Sequence, residues 1–80
     1  MDRVRVKVFA TLRRYIQGLG IGEAMEVEVS TGTSLEGLLA HLGVPHEEVR
    51  VVYVNNICRD LSYRLVEGDQ VGIFPAVGGG

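Results

Sequence analysis

The residues best suited to chemistry are the last three of the sequence, Gly78, Gly79 and Gly80. A carboxylate on Gly80 is a poor electrophile as it stands. Attack by that carboxylate on the α-phosphate of ATP converts it into an acyl-adenylate, and sulfide from a persulfide donor can then displace AMP to leave a thiocarboxylate. Side chains on the final residues would crowd that acyl centre. Glycine has no Cβ, so it passes a narrow channel and lets the backbone approach a nucleotide closely. Terminal glycines alone are also what a disordered end looks like. The triplet is therefore read together with Phe74-Pro75-Ala76-Val77, which runs directly into it.

The other reactive side chains offer less. Cys58 is the single cysteine, so an internal disulfide is excluded. It could act as a sulfur-relay thiol, but a small strand residue beside a hairpin accounts for it better. His41 and His46 are placed on a helix and in a loop with no ligand set beside them, so no metal site is expected. Glu67 and Asp69 flank a glycine and read as turn residues. There is no Ser-His-Asp set and no phosphate loop, and catalysis by this chain alone is not expected. A net charge of -2 calls for neither nucleic acid nor an anionic membrane. No apolar run approaches the ~18–20 residues of a membrane span. The start, Met1-Asp2-Arg3-Val4-Arg5, carries no apolar leader. Together with the lone cysteine this gives the expectation of a cytoplasmic protein.

The elements that must position the glycines follow from periodicity. With 80 residues the chain is one domain whose core leaves little room for an enclosed active site. Val4, Val6 and Val8 alternate with Arg3, Arg5 and Lys7, a half-buried strand. Leu12, Ile16 and Leu19 mark a short helix ended by Gly18. Met25, Val27 and Val29 alternate with Glu26, Glu28 and Ser30, a second strand pairing hairpin-like with the first. Thr33-Ser34-Leu35-Glu36 fits a capping box, and Leu35, Leu38, Leu39 and Leu42 then define the main helix, with Gly43 at its C-cap. Val49 to Val54 reads as a buried strand, Asn55-Asn56 as a tight turn, and Ile57 to Arg59 as a short returning strand. An irregular stretch and a turn at Glu67-Gly68-Asp69 lead to a last strand over Val71 to Pro75.

The order β, short α, β, long α, β, β, β requires one main helix to cover one face of a mixed sheet of about five strands. That is an α+β fold of the β-grasp, or ubiquitin-like, kind, in which the last strand lies between the first and third. The expected organisation is a β-grasp domain over 1–75 and a flexible Gly-Gly tail over 76–80. The five residues after Pro75 reach roughly 17 Å when extended, enough to thread into a partner's active site. Val71 and Ile73 should face the helix, which sends Phe74 to the open face with Arg3, Arg5, Lys7 and Tyr53 for neighbours. An aromatic there, beside the tail, suits a partner-binding patch.

The stretch from Leu65 to Gly80, with its Gly68-Asp69 turn, hydrophobic strand, Phe74-Pro75-Ala76-Val77 and terminal glycines, resembles the ending of MoaD proteins. These are the small, sulfur-carrying subunits of molybdopterin synthase. Val6-Lys7-Val8-Phe9-Ala10-Thr11-Leu12-Arg13 is similar to that family's opening strand followed by Phe-Ala-x-Leu-Arg, and Val54-Asn55 matches its usual hairpin approach. Asn56 stands where glycine is common. ThiS proteins, the thiamine sulfur carriers, share the fold and the Gly-Gly but usually lack the opening and ending motifs, which favours the MoaD side. The resemblance implies a thiocarboxylate on Gly80, with Gly79, Gly78, Val77, Pro75 and Phe74 forming the tail and its partner contacts. It implies an adenylyltransferase related to ubiquitin-activating enzymes, a molybdopterin synthase large subunit, and a sulfur donor such as a cysteine desulfurase or rhodanese. No cofactor would be bound by this chain; ATP would be used by the activating partner. Two other readings stay open: a protein modifier that joins Gly80 to a lysine, and a β-grasp binding module. The charge balance and the lack of a basic stripe with aromatic platforms speak against an RNA-binding version of the latter.

Overall fold

The computed structural model describes residues 1–16 and 23–76. β1 (Asp2–Val8) pairs antiparallel with β2 (Ala24–Val29), Val4 opposite Val27. β3 (Val49–Val54) turns back through Asn55 and Asn56 into β4 (Ile57–Arg59). Both asparagines have positive φ, 53° and 69°, the backbone that a two-residue hairpin turn of type I′ requires and asparagine tolerates. β5 (Gln70–Pro75) enters between β1, to which it is parallel, and β3, to which it is antiparallel. The sheet order is β2-β1-β5-β3-β4. The last strand is central, and the arrangement is the ubiquitin-like β-grasp.

One face of this sheet is closed by α1 (Leu35–Leu42). Leu35, Leu38 and Leu39 join Val4, Val6, Val8, Val27, Val29, Val52, Val54, Val71 and Ile73 in a single buried cluster. Val52 and Val54 are buried but Arg50 and Tyr53 are exposed, so β3 is half-buried and not a fully buried strand. The apolar run concealed its alternation because Val51 lies on the uncovered face. The short second helix is present as a 3₁₀ helix, Ala10–Tyr15. Its N-cap, Phe9, offers no side-chain hydrogen bond, Ala10 has a φ of 55°, and Ile16 is already extended. An α-helical turn has no room to propagate between those limits, and Leu12 alone of this segment is buried. Gly18 and Leu19 lie outside the described residues. A second 3₁₀ segment, His46–Glu48, leads into β3.

The cap of α1 sits one residue later than a Thr33-to-Glu36 box requires. Ser34 is the N-cap, and its hydroxyl accepts from the Gly37 N–H at 3.1 Å. Gly37 therefore occupies the place where a box needs a carboxylate, and the reciprocal half is missing. The Thr33 hydroxyl donates instead to Ser30 O at 2.6 Å. The next two free N–H groups of the helix are met from outside it: Leu35 donates to Tyr63 O at 2.9 Å and Glu36 to Leu61 O at 3.1 Å. The irregular stretch after β4 thus serves as the helix's N-terminal partner, and it adds Leu65 to the core. At the other end Gly43 is left-handed, φ 76°, with its N–H on Ala40 O.

The turn before β5 is held by a buried carboxylate. Asp69 is 3% exposed and accepts from Asn55 Nδ2 at 2.9 Å, the Tyr63 hydroxyl at 3.1 Å and the Val66 N–H at 2.9 Å. Gly68, at φ 88°, supplies the left-handed residue of the same turn. Asp69 is thus a structural acceptor joining the β3–β4 hairpin to the start of β5. Burial, then the hydrogen bond to Asp69 and its charge, raises the Tyr63 phenol above its ordinary pKa of 10.0. Near the same loop, the hydroxyl and N–H of Ser62 hold the Asp60 carboxyl below its usual range.

Replacing Asp69 with alanine leaves three donors without their acceptor and is expected to destabilise the fold by about 2–4 kcal/mol; Tyr63→Phe should cost about 1–2 kcal/mol. Urea unfolding measures both. Because the raised phenol pKa means that the fold holds the neutral form, Tyr63's contribution is complete below its unfolded value of 10.0 and fades as pH rises through the folded one. The stability gap between wild type and Tyr63→Phe should therefore narrow above that pH.

Candidate functional site

The site begins where β5 ends. Ile73 O accepts the Phe9 N–H at 3.0 Å, Phe74 lies opposite Val51 and Pro75 opposite Val49. The Ala76 N–H donates to Glu48 O at 2.9 Å, so the backbone is tied one residue beyond the strand. Val77, Gly78, Gly79 and Gly80, the expected acyl site and its approach, lie outside the described residues.

Phe74 faces away from α1, because its neighbours Val71 and Ile73 point into the core. Its ring stacks on Phe9, centroids 4.3 Å apart and planes within 3°, and meets the edge of Tyr53 at 5.6 Å. Both Phe rings are half-buried and Tyr53 is exposed. The three aromatics border a groove of about 430 Å³ whose other walls include Arg5, Lys7, Asn55, Gln70 and Gly72. Arg5 and Lys7 are thus brought beside Phe74 as expected, while Arg3 lies further along, over a separate depression with Glu67 and Gly68. Phe9 is the residue that the sequence reading missed. The signal was there: the outward set Arg3, Arg5, Lys7 continues in period two to position 9.

The charges of this face form a ladder across β1 and β2. Arg3 pairs with Glu28 at 3.3 Å and Arg5 with Glu26 at 3.8 Å. The third rung sets Lys7 opposite Ala24, which leaves Lys7 without an ion pair among the described residues. Among the described residues, Lys7 thus stands next to the aromatic patch without a carboxylate partner. Cys58 lies opposite Tyr53 on β4 and is exposed. His41 closes α1 and His46 opens the second 3₁₀ segment. Among the described residues no group of three His, Cys, Asp or Glu side chains is close enough to hold a metal, and no helix is long and apolar enough to cross a membrane.

Gly72 is the floor of the aromatic pair. A Cβ built there would stand 3.5 Å from a ring carbon of both Phe9 and Phe74. One methyl fits in ordinary contact, but a branched side chain does not. Gly72→Ala should keep the stack, whereas Gly72→Val should part the rings and forfeit about 0.5–1.5 kcal/mol of stacking. Loss of ring-to-ring nuclear Overhauser effects would report it.

Comparison with known proteins agrees with this geometry. Among curated proteins none matches the sequence. Among solved structures, a Pyrococcus furiosus protein assigned as molybdopterin converting factor subunit 1 is similar, with 28% identity and a TM-score of 0.73 over 96% of this chain and 100% of that one. The small archaeal modifier protein 1 of Haloferax volcanii shares the fold at 18% identity, with a TM-score of 0.73 over 96% of this chain and 100% of that one. So does subunit 1 of the Helicobacter pylori molybdopterin-converting factor, solved in complex with subunit 2, at 21% identity and a TM-score of 0.61 over 98% and 99%. A model of the ThiS family matches residues 6–80. With the match running from β1 through the terminal glycines, the chain belongs to the ThiS family.

Proposed function

We propose that this chain is a sulfur carrier acting as the small subunit of a molybdopterin synthase. The observation that carries the proposal is the adjacency of two features in a ThiS-family β-grasp domain: a central strand that delivers the Gly-Gly tail, and a Phe9–Phe74–Tyr53 patch beside its exit. The patch serves to dock partners, and the tail carries the chemistry.

In this reading the Gly80 carboxylate attacks the α-phosphate of ATP in the active site of a partner related to ubiquitin-activating enzymes. The acyl–oxygen bond to phosphate forms and pyrophosphate leaves. The outer sulfur of a persulfide on a donor such as a cysteine desulfurase or rhodanese then adds to the acyl carbon and expels AMP. A thiol cleaves the resulting acyl disulfide, which leaves the thiocarboxylate on Gly80 and a disulfide as the oxidised product. The large synthase subunit takes up the loaded tail, and the thiocarboxylate sulfur bonds to a pterin precursor. Water cleaves the acyl–sulfur bond, leaving sulfur on the pterin and regenerating the carboxylate for another cycle. The chain contributes no cofactor; ATP belongs to the activating partner. The Helicobacter pylori complex of subunits 1 and 2 supports the large subunit as partner, and the Pyrococcus furiosus likeness supports molybdopterin over thiamine as destination.

The fold shared with the Haloferax volcanii modifier favours one second reading, in which the same activated carboxyl is joined to a lysine. The two readings differ only in the acceptor. Mass spectrometry of native protein decides between them. Exchange of one oxygen for sulfur at Gly80 marks the carrier, and covalent adducts on other proteins mark the modifier. Deleting Gly80 should abolish either product while leaving the unfolding transition unchanged.

Phe74→Ala should leave folding intact and weaken binding to the synthase large subunit about tenfold or more, the range of an aromatic anchor at the centre of an interface. Titration calorimetry measures it, and unchanged affinity would remove the patch from the interface.

A further inference from the structure

Two 3₁₀ segments far apart in sequence meet beside the end of β5. The Tyr15 hydroxyl donates to Glu48 Oε2 at 2.6 Å. Arg14 Nη2 donates to Glu48 Oε1 at 2.9 Å and to the Tyr15 hydroxyl at 3.1 Å, and the Arg14 Cζ lies 5.1 Å from the Tyr15 ring centroid. The same Glu48 holds the Ala76 N–H on its backbone carbonyl at 2.9 Å. Every oxygen of this one residue is engaged, two by the first 3₁₀ helix and one by the departing chain.

Global stability gives little reason for such an arrangement. The side chains of Arg14 and Glu48 are 61% and 40% exposed, and an ion pair in that position is worth little. Its location is more informative. Four residues, Val77 to Gly80, carry the sequence on from Ala76, a reach of about 13–14 Å when extended. Three of them are glycines, whose backbone has no strong preference of its own. Among the described residues the approach to the arm is held at its root, and a small rotation there is multiplied along the reach.

We propose that Tyr15, Glu48 and Arg14 are positioning residues, a clamp on the root of the tail that aims Gly80 into the active site of the activating enzyme. This rests on the reading of Gly80 as the activated residue. The clamp lies on the 3₁₀ segments, whereas Phe9, Phe74 and Lys7 form the open-face patch. Loosening the clamp should spoil presentation of the carboxyl without weakening docking. That predicts a fall in kcat at constant KM, a split that a loss of fold would not produce.

The test uses the full chain with Tyr15→Phe, Glu48→Ala and Glu48→Gln. Amide exchange by NMR at Ala76 and Ile73 reads the anchor directly. Pyrophosphate release with ATP and a ubiquitin-activating-like adenylyltransferase reads presentation. For Tyr15→Phe and Glu48→Ala the Ala76 amide should exchange about tenfold faster, with Ile73 and the unfolding midpoint unchanged. The kcat for adenylation should fall about tenfold or more at unaltered KM. Glu48→Gln, which keeps an acceptor for the tyrosine hydroxyl, should recover most of both losses. Wild-type exchange at Ala76 in the two disruptive variants, or faster exchange with unchanged kcat, overturns the clamp. If wild type itself releases no pyrophosphate, the assignment of Gly80 fails, and the aiming role fails with it even where Ala76 exchange has changed.

Discussion

β5 bonds to β1 along one edge and to β3 along the other, and this double pairing is the constraint that sets where the chain leaves the sheet. A strand at a sheet edge frays, because half of its backbone groups face water. A central strand does not, so the point at which the chain leaves the domain is among its more rigid parts. Both ends of β5 are secured beyond the ladder. At the start, the Asp69 carboxylate gathers Asn55, Tyr63 and Val66, and the Gln70 N–H donates to Asn55 Oδ1 at 3.0 Å. At the finish, Phe9 holds Ile73 and Glu48 holds Ala76. A parallel β1–β5 pairing joins the two ends of the sequence, so none of this is secured until the whole chain has folded.

The two faces of the sheet solve opposite problems. On the helix side, valines and leucines are buried together in a single cluster. On the other side, Phe9, Phe74 and Tyr53 remain partly in water. That is a liability for a protein alone and an asset for one that must dock. The exposed edge of the same sheet is protected by charge: β2 carries Glu26 and Glu28, and both are matched by arginines of β1. Such exposed pairs add little stability, but they discourage pairing with a foreign strand. The ladder stops one rung short, at Lys7 and Ala24. Among the described residues Lys7 has no ion pair, and it lines the same groove as the aromatic patch.

What could be read from the sequence was what nearest neighbours in the chain encode. Period-two valines placed β1 and β2, the leucine spacing placed α1, Gly43 placed its end, and the outward sense of Phe74 followed from Val71 and Ile73. What could not be read depends on pairings across the fold. Phe9 becomes the mate of Phe74 only because β1 and β5 are parallel neighbours in that register. Ser34, not Thr33, is the cap because the carbonyls of Leu61 and Tyr63 arrive to meet the next two N–H groups. Asp69 looked like a turn residue and is one, but its buried carboxylate is satisfied by three donors that come from the β3–β4 turn and the loop after β4. Glu48 gave no signal at all, since its partners lie 33 and 34 positions away.

These pairings bear on how one scaffold can serve proteins as different as a sulfur-carrying subunit and a protein modifier. Activation asks the same of both: an unhindered acyl carbon on a reaching arm. The differences arise afterwards, in which partner holds the domain while the acyl group reacts. On the proposed function the two tasks fall on separate elements. Docking would use the open face of β1, β5 and β3, where substitution of an exposed side chain disturbs no core contact. Presentation would use the root of the tail and the 3₁₀ segments beside it. A change of partner could then proceed through residues such as Lys7 or Tyr53 while the path to the proposed acyl site is untouched. The buried cluster beneath, common to both tasks, is what neither can alter.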